Sequence, residues 1–166
     1  MLSDAIDQLP LFEGVNLAQR SLLRQIFIPC DFYPNTPIFE QGDPAEHLYI
    51  VVSGEVIVEY KPDDGPPITV ARVQPCGVVG WSAALGSRAY TSRAECSVYT
   101  QLLRVRGSDL RKMCLDNPEI GAIILDRLAT VIAQRLSNTH EQVLNLLEMG
   151  LRNGQPTVGE NNGKYG

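Results

Sequence analysis

The stretch HLYIVVSGEVIVEY at residues 47–60 decides the fold class of this chain. It contains two runs rich in β-branched and aromatic residues, 47–52 and 56–60, which is typical of β-strands. Gly54 between them predicts a hairpin turn. Together with the proline-divided segment 27–44, three further runs bring the total to about eight short strands, the pattern of a small barrel or roll. These further runs are 68–73, 94–99 and 101–105.

Helices are predicted on both sides of the strands. Apolar residues broken by Pro10 and Gly14 predict short helical pieces at the start, with Asn16 as the cap of the second. After the strands, Ser108 is a candidate N-cap, and Pro118 occupies a favoured first helical position. From there a stripe at intervals of three or four predicts a helix that ends at 149–150. Its members are Leu125, Leu128, Ile132, Leu136, Thr139, Val143 and Leu146.

A helix of this length extends beyond the flank of a small roll. Its far half is therefore expected to pack against a second copy of the chain. The alternative is one long helix folded back in two on its own core. We expect a mainly β, α+β fold in three parts: a jelly-roll-like β-roll with N-terminal helices (1–117), a dimerisation helix (118–149) and a flexible tail (150–166) that is rich in Gly and Asn.

The composition excludes several classes of protein. The chain has 166 residues, 44 % of them hydrophobic, with a net charge of −5, which suits one globular domain. Its pI of about 5.0 provides no general positive field, so binding to nucleic acid is not expected. The N-terminus lacks the pattern of a secretory signal, and no segment is apolar over the length that a bilayer requires. We expect a cytoplasmic protein that does not enter a membrane.

Catalytic and metal-binding patterns are also missing from the sequence. Its four cysteines, at 30, 76, 96 and 114, are widely spaced, whereas metal ligands come in clusters. We expect reduced and mostly buried thiols, although counting alone leaves a disulfide pair open. His47 and His140 lie far apart, so neither a histidine metal cluster nor a Ser-His-Asp or Cys-His set is apparent. We therefore expect no enzyme activity and no cofactor.

The segment PCGVVGWSAALGSRAYTSRA at residues 75–94 carries the candidate binding chemistry. A strand ends in glycine, small residues predict one helical turn, and Arg88 follows between small residues. Backbone N–H groups at such a turn, with a guanidinium that donates two parallel hydrogen bonds, form an anion site. Arg88, with Arg93, is expected to make a small positive pocket. The alternative is a solvated arginine between strands.

Several motifs, in this order, resemble the cyclic nucleotide-binding domain family: Leu11-Phe12, IFEQGD at 38–43, LYIVVSGEV at 48–56, Gly80, and Arg88-Ala89 with Thr91 and Ala94. The family includes bacterial catabolite activator proteins, regulatory subunits of cyclic-AMP-dependent kinase and cyclic-nucleotide-gated channels. The resemblance implies an eight-stranded β-roll with a phosphate-binding cassette, here residues 80–91 and called the cassette below. It also implies a cyclic nucleotide ligand, cyclic AMP or a related one.

The resemblance assigns roles to particular residues. It implies that Arg88 pairs with the cyclic phosphate and that the N–H of Ala89 binds the same phosphate. Tyr90 and Thr91 are then expected to line the pocket. Thr139 and His140 fall where activator proteins of the family place helix residues that contact the purine, one from each subunit. A surface histidine is the alternative for His140.

The cassette departs from the family pattern at its start. The family has Gly-Glu-Leu where this chain has Gly80-Trp81-Ser82, so the carboxylate that accepts the ribose 2′-hydroxyl is missing. Loss of such a charged hydrogen bond weakens binding about ten- to a hundredfold. Trp81 fills core space, stacks on a base or sugar, or reshapes the pocket for another ligand. The connection to Arg88 is also shorter than usual, and Ser87 stands where proline is common.

Two functions follow from these observations. The first is a homodimeric sensor that binds a cyclic nucleotide at Arg88 and signals through its C-terminal helix to an unidentified protein partner. In transcription activators of the family a helix-turn-helix follows that helix, whereas only the short tail follows here, so direct DNA recognition is not expected. The second is a ligand-free interaction or dimerisation module that keeps the fold.

Overall fold

The computed structural model of the chain describes the backbone of residues 2–165 and the side chains of 4–151 other than 136, 138, 139, 142, 143 and 146. It divides into two compact units, Met1–Val131 and Ile132–Gly166. Two 3₁₀ helices, Leu2–Asp7 and Pro10–Phe12, come first. The remaining elements are α1 (Leu17–Ile26), β1 (Ile28–Phe32), β2 (Pro37–Phe39), β3 (His47–Ser53), β4 (Val56–Tyr60), β5 (Ile68–Val73), β6 (Val78–Val79), α2 (Trp81–Ala84), β7 (Arg93–Cys96), β8 (Thr100–Arg106), α3 (Gly107–Asp116) and α4 (Pro118–Tyr165).

Two antiparallel sheets of four strands each make up the roll. Their strand orders are β1-β8-β3-β6 and β2-β7-β4-β5. Ile28 of β1 pairs with Arg104 of β8, and Val56 of β4 pairs with Cys96 of β7. This architecture, with helices on either side in sequence, confirms the predicted α+β class and its eight-stranded β-roll.

The hairpin predicted at Gly54 is wrong. β3 pairs with β6 and β8, whereas β4 pairs with β5 and β7, so the two strands lie in different sheets. Gly54 has a φ of +95°, and a Cβ atom there would lie 2.6 Å from the carbonyl oxygen of Tyr99. Glycine satisfies both requirements because it tolerates positive φ and has no side chain. Gly54 is thus the corner at which the chain passes from one sheet to the other.

Two buried clusters hold the first unit together, and β3 contributes to both. Leu48 and Ile50 belong to the helical core, which joins the first sheet to α1, α3, α4 and the N-terminal segment. Tyr49 and Val51 belong to the roll interior, a cluster of residues from both sheets that also contains Phe39. Successive strand residues face opposite sides. The continuous apolar run of β3 is therefore explained by burial of both faces.

The N-termini of the helices follow the sequence in two cases out of three. The side chain of Asn16 accepts the N–H of Gln19 at 2.8 Å, and the Gln19 side chain accepts the N–H of Asn16 at 3.1 Å. This capping box confirms the predicted cap of α1, and α4 begins at Pro118 as expected. Ser108 is not an N-cap, because α3 already begins at Gly107 and no side chain caps it.

The buried face of α4 in the first unit differs from the predicted stripe. Ile120, Ile124 and Leu128 are buried, whereas Leu125 is 57 % exposed. The helix also continues past 149–150, where the sequence predicts its end, to Tyr165. The stripe members at 136, 139, 143 and 146, and all side chains of 152–166, lie outside the described residues. The flexibility expected for 150–166 stays a prediction.

The cysteines are free thiols. Cys96 is buried, Cys30 and Cys114 are half-buried, and Cys76 is exposed, contrary to the expectation of mostly buried thiols. Over the described part of the chain, no three His, Cys, Asp or Glu side chains are grouped closely enough to hold a metal ion. None of the described helices combines the length and the apolar character needed to span a membrane.

Candidate functional site

The cassette begins where β6 ends, at Gly80. This residue has a φ of +77°, in the left-handed region that favours glycine. A Cβ atom there would lie 2.7 Å from the carbonyl oxygen of His47 and 3.3 Å from the rings of Phe39 and Tyr90. Both the backbone angle and the close contacts therefore require glycine at this position.

The predicted helical turn is present as α2, a single turn of four residues. Trp81 is half-buried and packs against the helical core. This placement agrees with the first of its three interpretations, the filling of core space. The carbonyl of Ser82 accepts the N–H of Ser87 at 3.0 Å, so residues 85–87 turn back over α2.

Arg88 and Ala89 lie next to the loop that precedes β3. The N–H of Ala45 donates to the Arg88 carbonyl at 3.0 Å, and the N–H of Tyr90 donates to the Asp43 carbonyl at 2.9 Å. Ala89 is thereby placed opposite Pro44, and its own N–H makes no hydrogen bond to any described residue. The Arg88 side chain is exposed, with no carboxylate partner in the described part of the chain. As far as the described residues go, an N–H and a guanidinium without partners therefore belong to adjacent residues.

Tyr90 lies in the roll interior, 5 % exposed. Its ring stacks on that of Phe39 with centroids 3.7 Å apart. Its hydroxyl donates to the carbonyl of His47 at 2.6 Å and accepts the N–H of the same residue at 3.0 Å. Burial raises the pKa of Tyr90. The structure thus makes Tyr90 an anchor between the cassette and β3, with its hydroxyl already engaged by backbone.

Aromatic side chains fill the roll interior beneath Gly80. The rings of Phe39 and Tyr49 are 6.1 Å apart, next to the Phe39–Tyr90 pair. Burial raises the pKa of Tyr49 to about 12. The nearby His47 has a lowered pKa because of burial and then the charges of Arg104 and Arg106.

Arg93 does not contribute to a positive pocket, so that part of the sequence prediction is wrong. Its Nε donates to a Glu40 oxygen at 2.9 Å, its Nη1 donates to Glu95 at 2.8 Å, and Glu59 lies 3.8 Å away. The hydrogen bonds to Glu95 and then Glu40 raise the pKa of Arg93. These carboxylates compensate its charge, and Arg93 of β7 is paired with Glu59 of β4 and with Glu40, the residue after β2.

A cleft of about 420 Å³ opens beside this ion-pair cluster. Its lining residues are Glu40, Gln41, Glu59, Lys61, Pro62, Asp63, Pro67 and Arg93. None of the cassette residues lines this cleft, and the cations in its described lining are Lys61 and the already paired Arg93.

The remaining predicted ligand residues lie at the end of the cassette and on α4. Thr91 is exposed at the end of the cassette. His140 is exposed on α4, in the second unit, and the side chain of Thr139 lies outside the described residues. The structure thus places Gly80 close to the Tyr90 ring and bonds Ser82 to Ser87, next to Arg88. Trp81 packs against the helical core instead, and the purine contacts of Thr139 and His140 stay predictions.

Arg111 of α3 also contacts the cassette, although nothing in the sequence predicts this contact. Its Nη1 donates to the carbonyl of Ala83 at 2.6 Å, across 28 positions of sequence. No local pattern indicates such a contact, because it depends on how α3 packs beside α2.

A family model described as the cyclic nucleotide-binding domain matches residues 29–117, more than half of the chain. A curated relative from Mycobacterium tuberculosis, named CRP-like cAMP-activated global transcriptional regulator, is 26 % identical over 137 residues. The match covers 82 % of this chain and 59 % of the relative, so the chain spans about three fifths of that protein.

Solved structures show the same fold. The catabolite activator protein of Thermus thermophilus has a TM-score of 0.67 at 27 % identity, over 84 % of this chain and 63 % of that one. A cyclic nucleotide-binding domain from Methylobacillus flagellatus KT has a TM-score of 0.75 at 18 % identity, over 85 % of this chain and 79 % of that one. The second likeness shows the fold alone. By the family match together with this architecture, the chain belongs to the cyclic nucleotide-binding domain family.

Proposed function

We propose that this protein is a regulatory domain that binds a cyclic nucleotide, cyclic AMP or a related one, at the cassette. One observation carries the proposal: within the described part of the chain, the N–H of Ala89 has no hydrogen-bond acceptor, and the exposed guanidinium of the adjacent Arg88 has no carboxylate partner. A cyclic phosphate carries one negative charge and accepts hydrogen bonds from both kinds of donor. The relative from M. tuberculosis, which is named as cAMP-activated, supports the same ligand class.

The proposal includes signalling through the C-terminal helix. Ligand binding shifts a conformational equilibrium only if the affinity differs between two arrangements of the protein. In the second unit, Leu144, Leu147 and Leu151 are exposed at intervals of three and four residues, which is the spacing of a helix–helix seam. We therefore include a homodimer through α4, and an unidentified protein as the downstream partner.

The proposed role is binding and regulation in the cytoplasm, without catalysis and without contact to membranes or nucleic acid. The net charge of −5 supports the absence of nucleic-acid binding, because such binding relies on a positive surface.

Trp81 determines the affinity that we expect for the ligand. With this residue in place of the family's glutamate, the ribose 2′-hydroxyl loses its carboxylate acceptor. We therefore expect cyclic AMP to bind about ten- to a hundredfold more weakly than it would with that glutamate.

The filled roll interior favours a second candidate, a ligand-free interaction or dimerisation module. Phe39, Tyr49 and Tyr90 are each at most 7 % exposed. A ligand that enters between the sheets must displace Tyr90 and break its two hydrogen bonds to His47. The two candidates therefore differ in whether any nucleotide binds at all.

Thermal-shift and calorimetric titrations distinguish them. Cyclic AMP, cyclic GMP and cyclic dinucleotides are added to the wild type, to Arg88→Ala and to Lys112→Ala. Lys112 is an exposed cation on α3, so its variant controls for a general loss of positive charge. We expect at least one nucleotide to raise the Tm of the wild type and of Lys112→Ala, but not of Arg88→Ala. No shift at millimolar concentrations of any nucleotide contradicts the proposal and supports the ligand-free module.

A further inference from the structure

We infer that Arg111 of α3 is a positioning residue that holds the cassette in its phosphate-binding arrangement and so sets ligand affinity. This inference rests on the proposed function and names the residue that regulates its site. The sequence around Arg111 carries no binding motif, and the inference comes from the contact between α2 and α3.

The first observation is the hydrogen bonding of the guanidinium. Nη1 of Arg111 donates to the carbonyl oxygen of Ala83 at 2.6 Å and lies 3.5 Å from that of Ala84. These are the last two residues of α2. The carbonyl oxygen of Ala83 also accepts the N–H of Gly86 at 3.3 Å, and a carbonyl oxygen has a second lone pair for another donor. A guanidinium is therefore well suited to hold this end of the turn.

The second observation is direct backbone contact at the same place. A Cβ atom at Gly107, the first residue of α3, would collide with the carbonyl oxygen of Ala83 and lie 2.7 Å from its carbon. The N–H of Gly107 also donates to the carbonyl of Glu46 at 2.8 Å. The start of α3 is thus fixed beside β3 and pressed against α2, and Arg111 lies one turn further along.

The cassette is consequently held from both ends. Arg111 fixes Ala83 at one end, and at the other end the Tyr90 hydroxyl is bonded to His47. Between them, residues 85–88 are exposed. Among the described residues, Arg111 alone makes side-chain hydrogen bonds between α3 and the cassette.

Loss of the Arg111 bonds lowers the fraction of molecules whose cassette is in the binding arrangement. The apparent Kd rises in inverse proportion to that fraction. Linkage is reciprocal, so a ligand that favours this arrangement also favours the contact between α2 and α3. Arg111 therefore connects occupancy of the cassette to the helix that leads into α4.

The test compares Arg111→Gln, Arg111→Lys and the matched control Lys112→Gln with the wild type. Calorimetry measures the Kd for cyclic AMP, and hydrogen exchange without ligand follows the amides of Gly86 and Ser87. We expect Arg111→Gln to raise the Kd about tenfold, as for the loss of a charged hydrogen bond, and to speed exchange at both amides. We expect smaller changes in Kd and in exchange rate for Arg111→Lys than for Arg111→Gln, because lysine keeps a cationic donor. Lys112→Gln is expected to change neither the Kd nor the exchange rates.

Three other results would contradict the positioning role of Arg111 or the proposed function. If Arg111→Gln binds cyclic AMP with the same Kd as the wild type, the positioning role is overturned even if the Tm falls, because a purely structural contact changes only stability. Equal effects in Lys112→Gln overturn it as well, since they indicate a general charge effect. If the wild type itself binds no cyclic AMP, cyclic GMP or cyclic dinucleotide, the proposed function fails and takes the affinity role of Arg111 with it.

Discussion

The hydroxyl of Tyr90 bonds both backbone groups of His47, donating to its carbonyl at 2.6 Å and accepting its N–H at 3.0 Å, across 43 positions of sequence. A single side-chain oxygen thereby satisfies the N–H and C=O at the first residue of β3. The cassette is joined to the first sheet at this point, although its following strand β7 belongs to the second sheet. Tyr90 thus links the two halves of the roll.

Tyr90→Phe removes this link while it keeps the ring stacked on Phe39. Because two part-buried backbone groups of His47 lose their partner, we expect the free energy of unfolding to fall by about 1–3 kcal/mol. Urea denaturation measures the change. Tyr33→Phe is the control, since the Tyr33 side chain is 74 % exposed and its loss of a hydroxyl is expected to change stability by less than about 0.5 kcal/mol. Equal effects of the two variants contradict the anchoring role.

Gly80→Ala and Gly42→Ala separate backbone strain from collision. Both glycines have positive φ, +77° and +91°, but a Cβ at Gly42 has no neighbour within 4 Å, whereas one at Gly80 lies 2.7 Å from the His47 carbonyl. Strain alone costs about 1–2 kcal/mol for an L-residue in the left-handed region. We expect this loss in Gly42→Ala and a larger one in Gly80→Ala, both measured by urea denaturation. A smaller loss at Gly80 would mean that the contacts around it yield easily.

The cysteines are predicted to react in order of exposure. Burial raises the pKa of Cys30 to about 11, so only about one in a thousand of its thiols is ionised at about pH 8. Iodoacetamide is therefore expected to modify the exposed Cys76 first and to spare Cys30 and the buried Cys96. Peptide mass spectrometry identifies the labelled site, and labelling in urea shows that all the thiols can react. Early modification of Cys30 in the folded protein contradicts the prediction.

Alkaline pH is predicted to destabilise the protein partly through Tyr49. Its folded-state pKa is about 12 against 10.0 for the free side chain, so the unfolded chain releases this proton first. The contribution of Tyr49 to stability is present below about pH 10 and is lost as the pH rises towards about 12. Urea midpoints at about pH 9 and about pH 11 are therefore expected to differ less in Tyr49→Phe than in the wild type. The exposed-residue variant Tyr33→Phe is expected to keep the full difference.

The proposed homodimer depends on the exposed leucines of α4. A double variant, Leu144→Glu with Leu147→Glu, places charges in the proposed seam and is expected to convert a dimer into a monomer. Light scattering coupled to size exclusion measures the mass. Leu115→Glu is the control, because Leu115 is 80 % exposed but lies on α3 in the other compact unit. A dimer that survives the double variant places the interface elsewhere.

Features with a local cause could be predicted from the sequence. The capping box at Asn16 involves residues three positions apart, and the strand limits of β4 and β5 coincide with runs of β-branched residues between turn residues. The helical turn after Gly80 also has a local cause, the run of small residues at 82–84. In each case the residues that determine the structure are neighbours in the chain.

Features that depend on distant partners could not be predicted. Gly54 has the sequence of a hairpin turn, but its close approach to Tyr99 makes it a corner between sheets. Arg93 looks like a free cation until folding brings Glu40 to it across 53 positions. The stacking of Tyr90 on Phe39 likewise joins residues that are distant in sequence. In these cases the packing of separate strands decides the role of the residue.

The pairing of β1 with β8 has a consequence for how the protein folds. Ile28 and Arg104 are partners although they lie more than seventy positions apart. The first sheet is therefore incomplete until nearly all of the roll has been synthesised. During translation β1 cannot pair with β8 until β8 has left the ribosome. Such long-range pairing slows folding and leaves strand edges unpaired in the meantime.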